Sequence, residues 1–121
     1  MTTTIENLIG KKLKSVQLIG RNEMIKFNCA DGTVYEMYHD QDCCEHVVIE
    51  DITEDWKDIL NDSTVMQAYE STNRNDPPQY CESHTWTFYR IITDKGTVVI
   101  RWLGTSNGYY SEGVSIYERT P

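Results

Sequence analysis

Residues 85–103 constrain the fold of this chain more than any other stretch. Residues 85–93 and 97–103 are two runs rich in β-branched and aromatic side chains, joined by Asp94-Lys95-Gly96. That combination predicts a β-hairpin. In the second run Val99, Ile100, Trp102 and Leu103 make both faces largely apolar, with Arg101 as the exception. A strand apolar on both faces belongs inside a sheet, so the hairpin needs flanking strands.

The rest of the chain supplies them. Residues 13–19 alternate, and in residues 24–29 Ile25, Phe27 and Cys29 share one face while Lys26 and Asn28 share the other. Ala30-Asp31-Gly32 is a hairpin turn, because Asp-Gly tolerates the positive φ that such turns need. Residues 33–38 form the return strand. Residues 47–49, 65–70 and 114–117 read as further strands. Two short helices are also expected. Thr3 and Glu6 have the spacing of a capping box, and Ile5, Leu8 and Ile9 follow at helical intervals, which predicts a helix over about residues 4–9. Thr53 heads a second helix, with Glu54 and Asp55 at its positive end and Trp56, Ile59 and Leu60 on one face. Residues 71–83, which include Pro77-Pro78, and residues 104–112 are expected as loops. The fold class is therefore α+β. A single domain spans 1–121, a mostly antiparallel sheet of meander hairpins with two short α-helices.

Charge narrows the partners. The chain carries a net charge of −8. Residues 27–62 hold eleven acids against Lys57 alone. Duplex DNA is bound by neutralising phosphates with Lys and Arg, so an acidic chain disfavours it. No apolar run approaches the length of a membrane span, and the first residues lack the pattern of a secretory signal. A cytosolic setting is expected, with the four cysteines as reduced thiols.

Two segments gather chemistry-bearing residues. The first is His39-Asp40-Gln41-Asp42-Cys43-Cys44-Glu45-His46. Adjacent cysteines on extended backbone point to opposite faces, which suits a packed junction with one thiol in the core better than a metal cage. Cys81 and His84 have a workable zinc spacing, but no Cys-x-x-Cys pair accompanies them. No nucleophile motif is present, and no catalytic residue, cofactor or metal is assigned. His39, Asp40 and Asp42 remain as one wall of a candidate ligand site. The second segment, residues 104–112, supplies the other wall: Ser106, Asn107, Tyr109, Tyr110 and Ser111. Paired tyrosines can stack a ring. Asn107 would bond its edge, and Arg101 would meet a phosphate.

At these segments the chain resembles a small family of bacteriophage and prophage proteins. The resemblance rests on Met37-Tyr38-His39-Asp40-Gln41-Asp42-Cys43-Cys44-Glu45, on Thr85-Trp86-Thr87-Phe88-Tyr89, and on Ser106-Asn107-Gly108-Tyr109-Tyr110-Ser111-Glu112, and it covers roughly residues 11–117. It implies an accessory phage protein, and the phage setting suggests counter-defence. The expected function is a non-enzymatic, homo-oligomeric protein that sequesters a small nucleotide signal of host antiviral defence. Two alternatives stay open: an acidic inhibitor of a basic host protein, and a zinc-stabilised or metal-dependent small domain.

Overall fold

The computed structural model describes residues 2–74 and 82–119. Among them lie nine strands: β1 (Thr2–Thr3), β2 (Lys12–Ile19), β3 (Met24–Cys29), β4 (Val34–Tyr38), β5 (His46–Ile52), β6 (Ser63–Asn73), β7 (Ser83–Thr93), β8 (Gly96–Ser106) and β9 (Ser115–Arg119). They form one antiparallel sheet in the order β1-β9-β4-β3-β2-β6-β7-β8-β5. The expected hairpin is β7–β8, paired from Ser83↔Ser106 to Thr93↔Gly96. As its apolar faces require, β8 is flanked on both sides, by β7 and β5.

The sheet has a narrow waist. β2 and β6 share only the register pairs Lys12↔Thr64 and Leu13↔Ser63. About this waist the sheet folds over, and its two halves bury their inner faces against each other. Ile25, Phe27, Tyr35 and Met37 from one half share a core with Tyr89, Ile91, Ile100 and Trp102 from the other. The indole of Trp102, fully buried, donates its N–H to the Met37 sulfur at 3.3 Å. At the far edge β5 reaches the turn after β2, where the Ile49 amide donates to the Asn22 carbonyl at 2.8 Å.

The α+β expectation is corrected here: among the described residues the fold is nearly all β, with one α-helix, α1 (Trp56–Leu60), and one 3-10 turn, Ile5–Leu8. The capping box does not form. Thr3 pairs with Ile116 in the sheet, and its hydroxyl accepts from the Asn7 side chain. Only four residues are left to turn, and these suffice to bury Ile5 and Leu8. Thr53 does not cap α1 either. Its hydroxyl accepts the Val99 amide at 2.8 Å, and Asp55 starts the helix from a left-handed conformation. Leu60 is buried and Trp56 and Ile59 pack on the core, as their spacing predicts. The expected 71–83 loop is also shortened, because β6 continues to Asn73 and β7 begins at Ser83. Pro77 and Pro78 lie outside the described residues.

Candidate functional site

The two candidate segments meet. β4 ends with Tyr38 opposite Ser115 of β9, and β5 begins with His46 opposite Thr105 of β8. The connections 39–45 and 107–114 therefore both cross from one half of the sheet to the other, side by side. His39 ties them together. Its Nδ1 donates to the Gly113 carbonyl at 2.6 Å, and its Nε2 meets the Glu45 carboxylate at 2.8 Å.

Glu45 organises the first connection. It is the buried acid that the sequence reading passed over, although counting back by two from the inward Ile49 and Val47 lands on it. Its carboxylate accepts the amides of Asp42 and Cys43, each at 2.9 Å, and the Gln41 side chain at 3.3 Å. Burial raises its pKa, but the Cys43 amide, the His39 ring and the Asp42 amide outweigh that and bring it down to about 2. Three of the polar residues suspected of function thus have internal partners. Both ring nitrogens of His39 are engaged, Asp40 accepts from the Tyr117 hydroxyl, and the Asp42 backbone is bound to Glu45. The Asp42 carboxylate faces outward on an exposed residue.

The cysteines differ from expectation. Cys43 and Cys44 are bonded to each other, and both are exposed, so neither thiol enters the core. The core position falls to Glu45, one residue on. Cys29 is the buried free thiol. Among the described residues no three His, Cys, Asp or Glu side chains gather as metal ligands. Cys81 lies outside them. A hollow of about 270 Å³ beside this connection is lined by Glu23, His39, Gln41, His46, Val47 and Val48.

The second connection is also held from within. The Ser106 hydroxyl accepts the Gly108 amide at 2.9 Å, Asn107 accepts the Tyr109 amide at 3.0 Å, and Ser111 accepts the Gly113 amide at 3.3 Å. Buried Glu112 accepts from Ser106 and, at 2.8 Å, from Thr85. Burial pushes its pKa up; the hydroxyls of Ser106, Ser83 and Thr85 and the charge of Arg74 bring the net shift below the usual value. The Glu112 backbone lies directly on Gly104, where a Cβ would stand 2.4 Å from the Glu112 carbonyl oxygen. Beside the exposed Asn107 and Ser111, this connection offers aromatic surface to solvent: Tyr109 is 84% exposed and stands edge-on to Tyr110 with ring centroids 5.2 Å apart.

Arg101 is elsewhere. It sits on the outward face of β8, roughly 17 Å along the strand from Ser106 at 3.3–3.4 Å per residue. There it lies over the Trp86 ring, 5.4 Å from the centroid, in an open cleft of about 140 Å³ lined by Asn73, Trp86, Phe88 and Arg101. Its Nε is sealed from solvent without a hydrogen-bond partner, and so is Nε2 of His84 on the same face of β7. Such an atom costs roughly 1–3 kcal/mol when left unpaired. These are the two side-chain atoms in that state among the described residues. Period-two alternation from the inward Tyr89 and Ile91 puts His84, Trp86, Phe88 and Arg90 outward together, a signal available in the sequence. That Asn73 of β6 joins them follows only from the register Asn73↔Trp86.

The profile of the family described as a domain of unknown function, DUF7448, matches residues 6–116. The chain belongs to that family. No curated protein and no solved structure matches it. No helix among the described residues is long and apolar enough to cross a membrane.

Proposed function

We propose that this chain is a non-enzymatic, phage-type accessory protein of the host cytosol, a homo-oligomer that captures a small nucleotide signal of antiviral defence. One observation carries the reading: an arginine stacked on a tryptophan in an open cleft, with a guanidinium nitrogen that has no partner. Phe88 and Trp86 supply ring faces for a base, Asn73 an amide for its edge, and Arg101 a charge for phosphate. Sequestration needs affinity and no catalytic group. Most polar groups of residues 39–45 and 107–113 bond within the loops themselves, which favours the sheet face over those loops as the place of the ligand. Calorimetry against a panel of cyclic di- and trinucleotides and cyclic ADP-ribose isomers tests the reading. It predicts heat of binding for at least one compound and its loss in Arg101→Gln. Silence across the panel at micromolar protein removes it.

A second reading, an acidic inhibitor of a basic host protein, is favoured by a different surface. Glu50, Asp51, Glu54, Asp55 and Asp58 are all exposed, on and beyond the end of β5, and none makes an ion pair among the described residues. A host protein retained from lysate at low salt and released at high salt supports it. One held equally in both does not.

A further inference from the structure

We propose that the outward face of β6, β7 and β8 takes a ligand with two anionic groups, a free dinucleotide, with one phosphate at Arg101 and the other at Arg90. This rests on the nucleotide reading above and adds the ligand class.

The two arginines are diagonal neighbours on one face. Arg90 stands opposite Val99 and Arg101 opposite Phe88, which places their Cβ atoms roughly 7–8 Å apart. Each guanidinium lies over a ring: Arg101 over Trp86 at 5.4 Å, and Arg90 over Tyr69 at 5.8 Å, its cross-strand partner on β6. Stacking uses the flat face of a guanidinium and leaves its N–H edge for an oxyanion. Phe88 and Trp86 lie half-buried beside them as ring platforms.

Lys11, Lys12 and Arg119 each meet a carboxylate, Asp31, Asp62 and Glu36 respectively. Like Lys14, Arg21, Lys26, Lys57, Arg74 and Lys95, Arg90 and Arg101 make no ion pair among the described residues, although the chain carries a net charge of −8 and Asp51 stands opposite Arg101 in register. What sets these two arginines apart is that they are diagonal neighbours on one sheet face, each over a ring. The two unpartnered nitrogens, Arg101 Nε and His84 Nε2, lie on the same face. Both are sealed from solvent, so what is open to a ligand is the guanidinium charge, which anionic oxygens complement. The ligand is short because the flanking edge is acidic: Glu50 and Asp51 of β5 are exposed beside Arg101 and repel a longer polyanion.

The test is calorimetry on the full chain with three probes: adenosine monophosphate, the 5′-phosphorylated linear dinucleotide pApA, and a longer oligoadenylate. The expected result is that pApA binds about tenfold tighter than the mononucleotide, the effect of one added charge-assisted contact. Arg90→Gln should abolish that advantage and leave mononucleotide binding unchanged, whereas Arg101→Gln should weaken both. Arg90 is exposed, so its variant should melt as the parent does. Equal affinity for mononucleotide and dinucleotide, or an equal loss of both in Arg90→Gln, overturns the two-anion inference and leaves the nucleotide reading standing. If neither binds, the free-dinucleotide inference falls, and the nucleotide reading is decided by the cyclic panel. If the oligoadenylate binds tighter than pApA, the occupant is a nucleic-acid strand and the free dinucleotide is overturned.

Discussion

The Glu45 carboxylate lies 2.8 Å from the His39 ring, with the Glu45 side chain fully shielded from solvent and the His39 side chain 4% exposed. This pair joins the start of one crossing connection to its end, and through Gly113 it reaches the other connection. Glu45→Gln keeps the shape and removes the charge that gathers two backbone amides. The expected outcome is a melting temperature lower by several degrees and faster amide exchange at Asp42 and Cys43, read by hydrogen–deuterium exchange. Unchanged protection at both amides would show that the loop does not depend on this carboxylate.

The same carboxylate sets a pH dependence. Its pKa falls from an ordinary 4.5 to about 2 in the fold. A depressed carboxylate contributes stability that is fully present above its unfolded value and disappears as pH falls through its folded value. Glu112, also lowered, acts in the same direction. The urea midpoint should therefore decline as pH drops from 4.5 toward 2, and the decline should be shallower in Glu45→Gln.

Gly104 is needed for space, not for an unusual dihedral angle. A Cβ there would stand 2.4 Å from the Glu112 oxygen and 2.8 Å from its Cβ. Gly104→Ala should cost about 2 kcal/mol by overpacking, measured by urea denaturation, with the largest chemical-shift changes around Ser106 and Glu112.

Met37 and Trp102 link the two halves of the core through a sulfur and an indole N–H. Met37→Ala leaves a cavity and strips that N–H of its partner, and should cost about 3 kcal/mol. Met37→Leu fills most of the space but offers no acceptor. A smaller loss in that variant than in alanine separates the packing effect from the polar one.

Tyr109 projects into solvent. Tyr109→Ser should change stability by no more than about 0.5 kcal/mol and leave nucleotide affinity as it was. A tenfold loss of affinity would return the ligand to the 107–113 connection.

The strands were legible wherever alternation was clean. β3 emerges at its expected bounds because Ile25, Phe27 and Cys29 are buried in strict period two, and β7–β8 because few other structures accommodate two such runs around Asp94-Lys95-Gly96. The first helix was misread for a physical reason. One 3-10 turn buries Ile5 and Leu8, at i and i+3, as well as an α-helix would and leaves Ile9 exposed, and nothing local reveals that Thr2 and Thr3 pair with β9 instead. The reactive look of residues 39–46 has an equally local origin. Metal ligands and turn-forming residues are the same residue types, and the deciding fact, the burial of Glu45, depends on which face of β5 it leads into. The cleft at Arg101 was half visible, since Arg101 was singled out but Trp86 and Asn73 are brought to it by pairings between strands.

The placement of β9 has a consequence for how the chain reaches this structure. β9 lies between β1 and β4, so β4 finds its second neighbour very late in sequence; the Tyr35 hydroxyl meets Glu118 across 83 residues. Closing so long a loop carries a large entropic cost before any contact offsets it, which slows folding. Until β9 docks, β4 offers a bare row of amides and carbonyls to any strand that passes, and its neighbours in a crowded solution include other copies of itself. The step that completes the native sheet is therefore also the step that removes its most aggregation-prone edge.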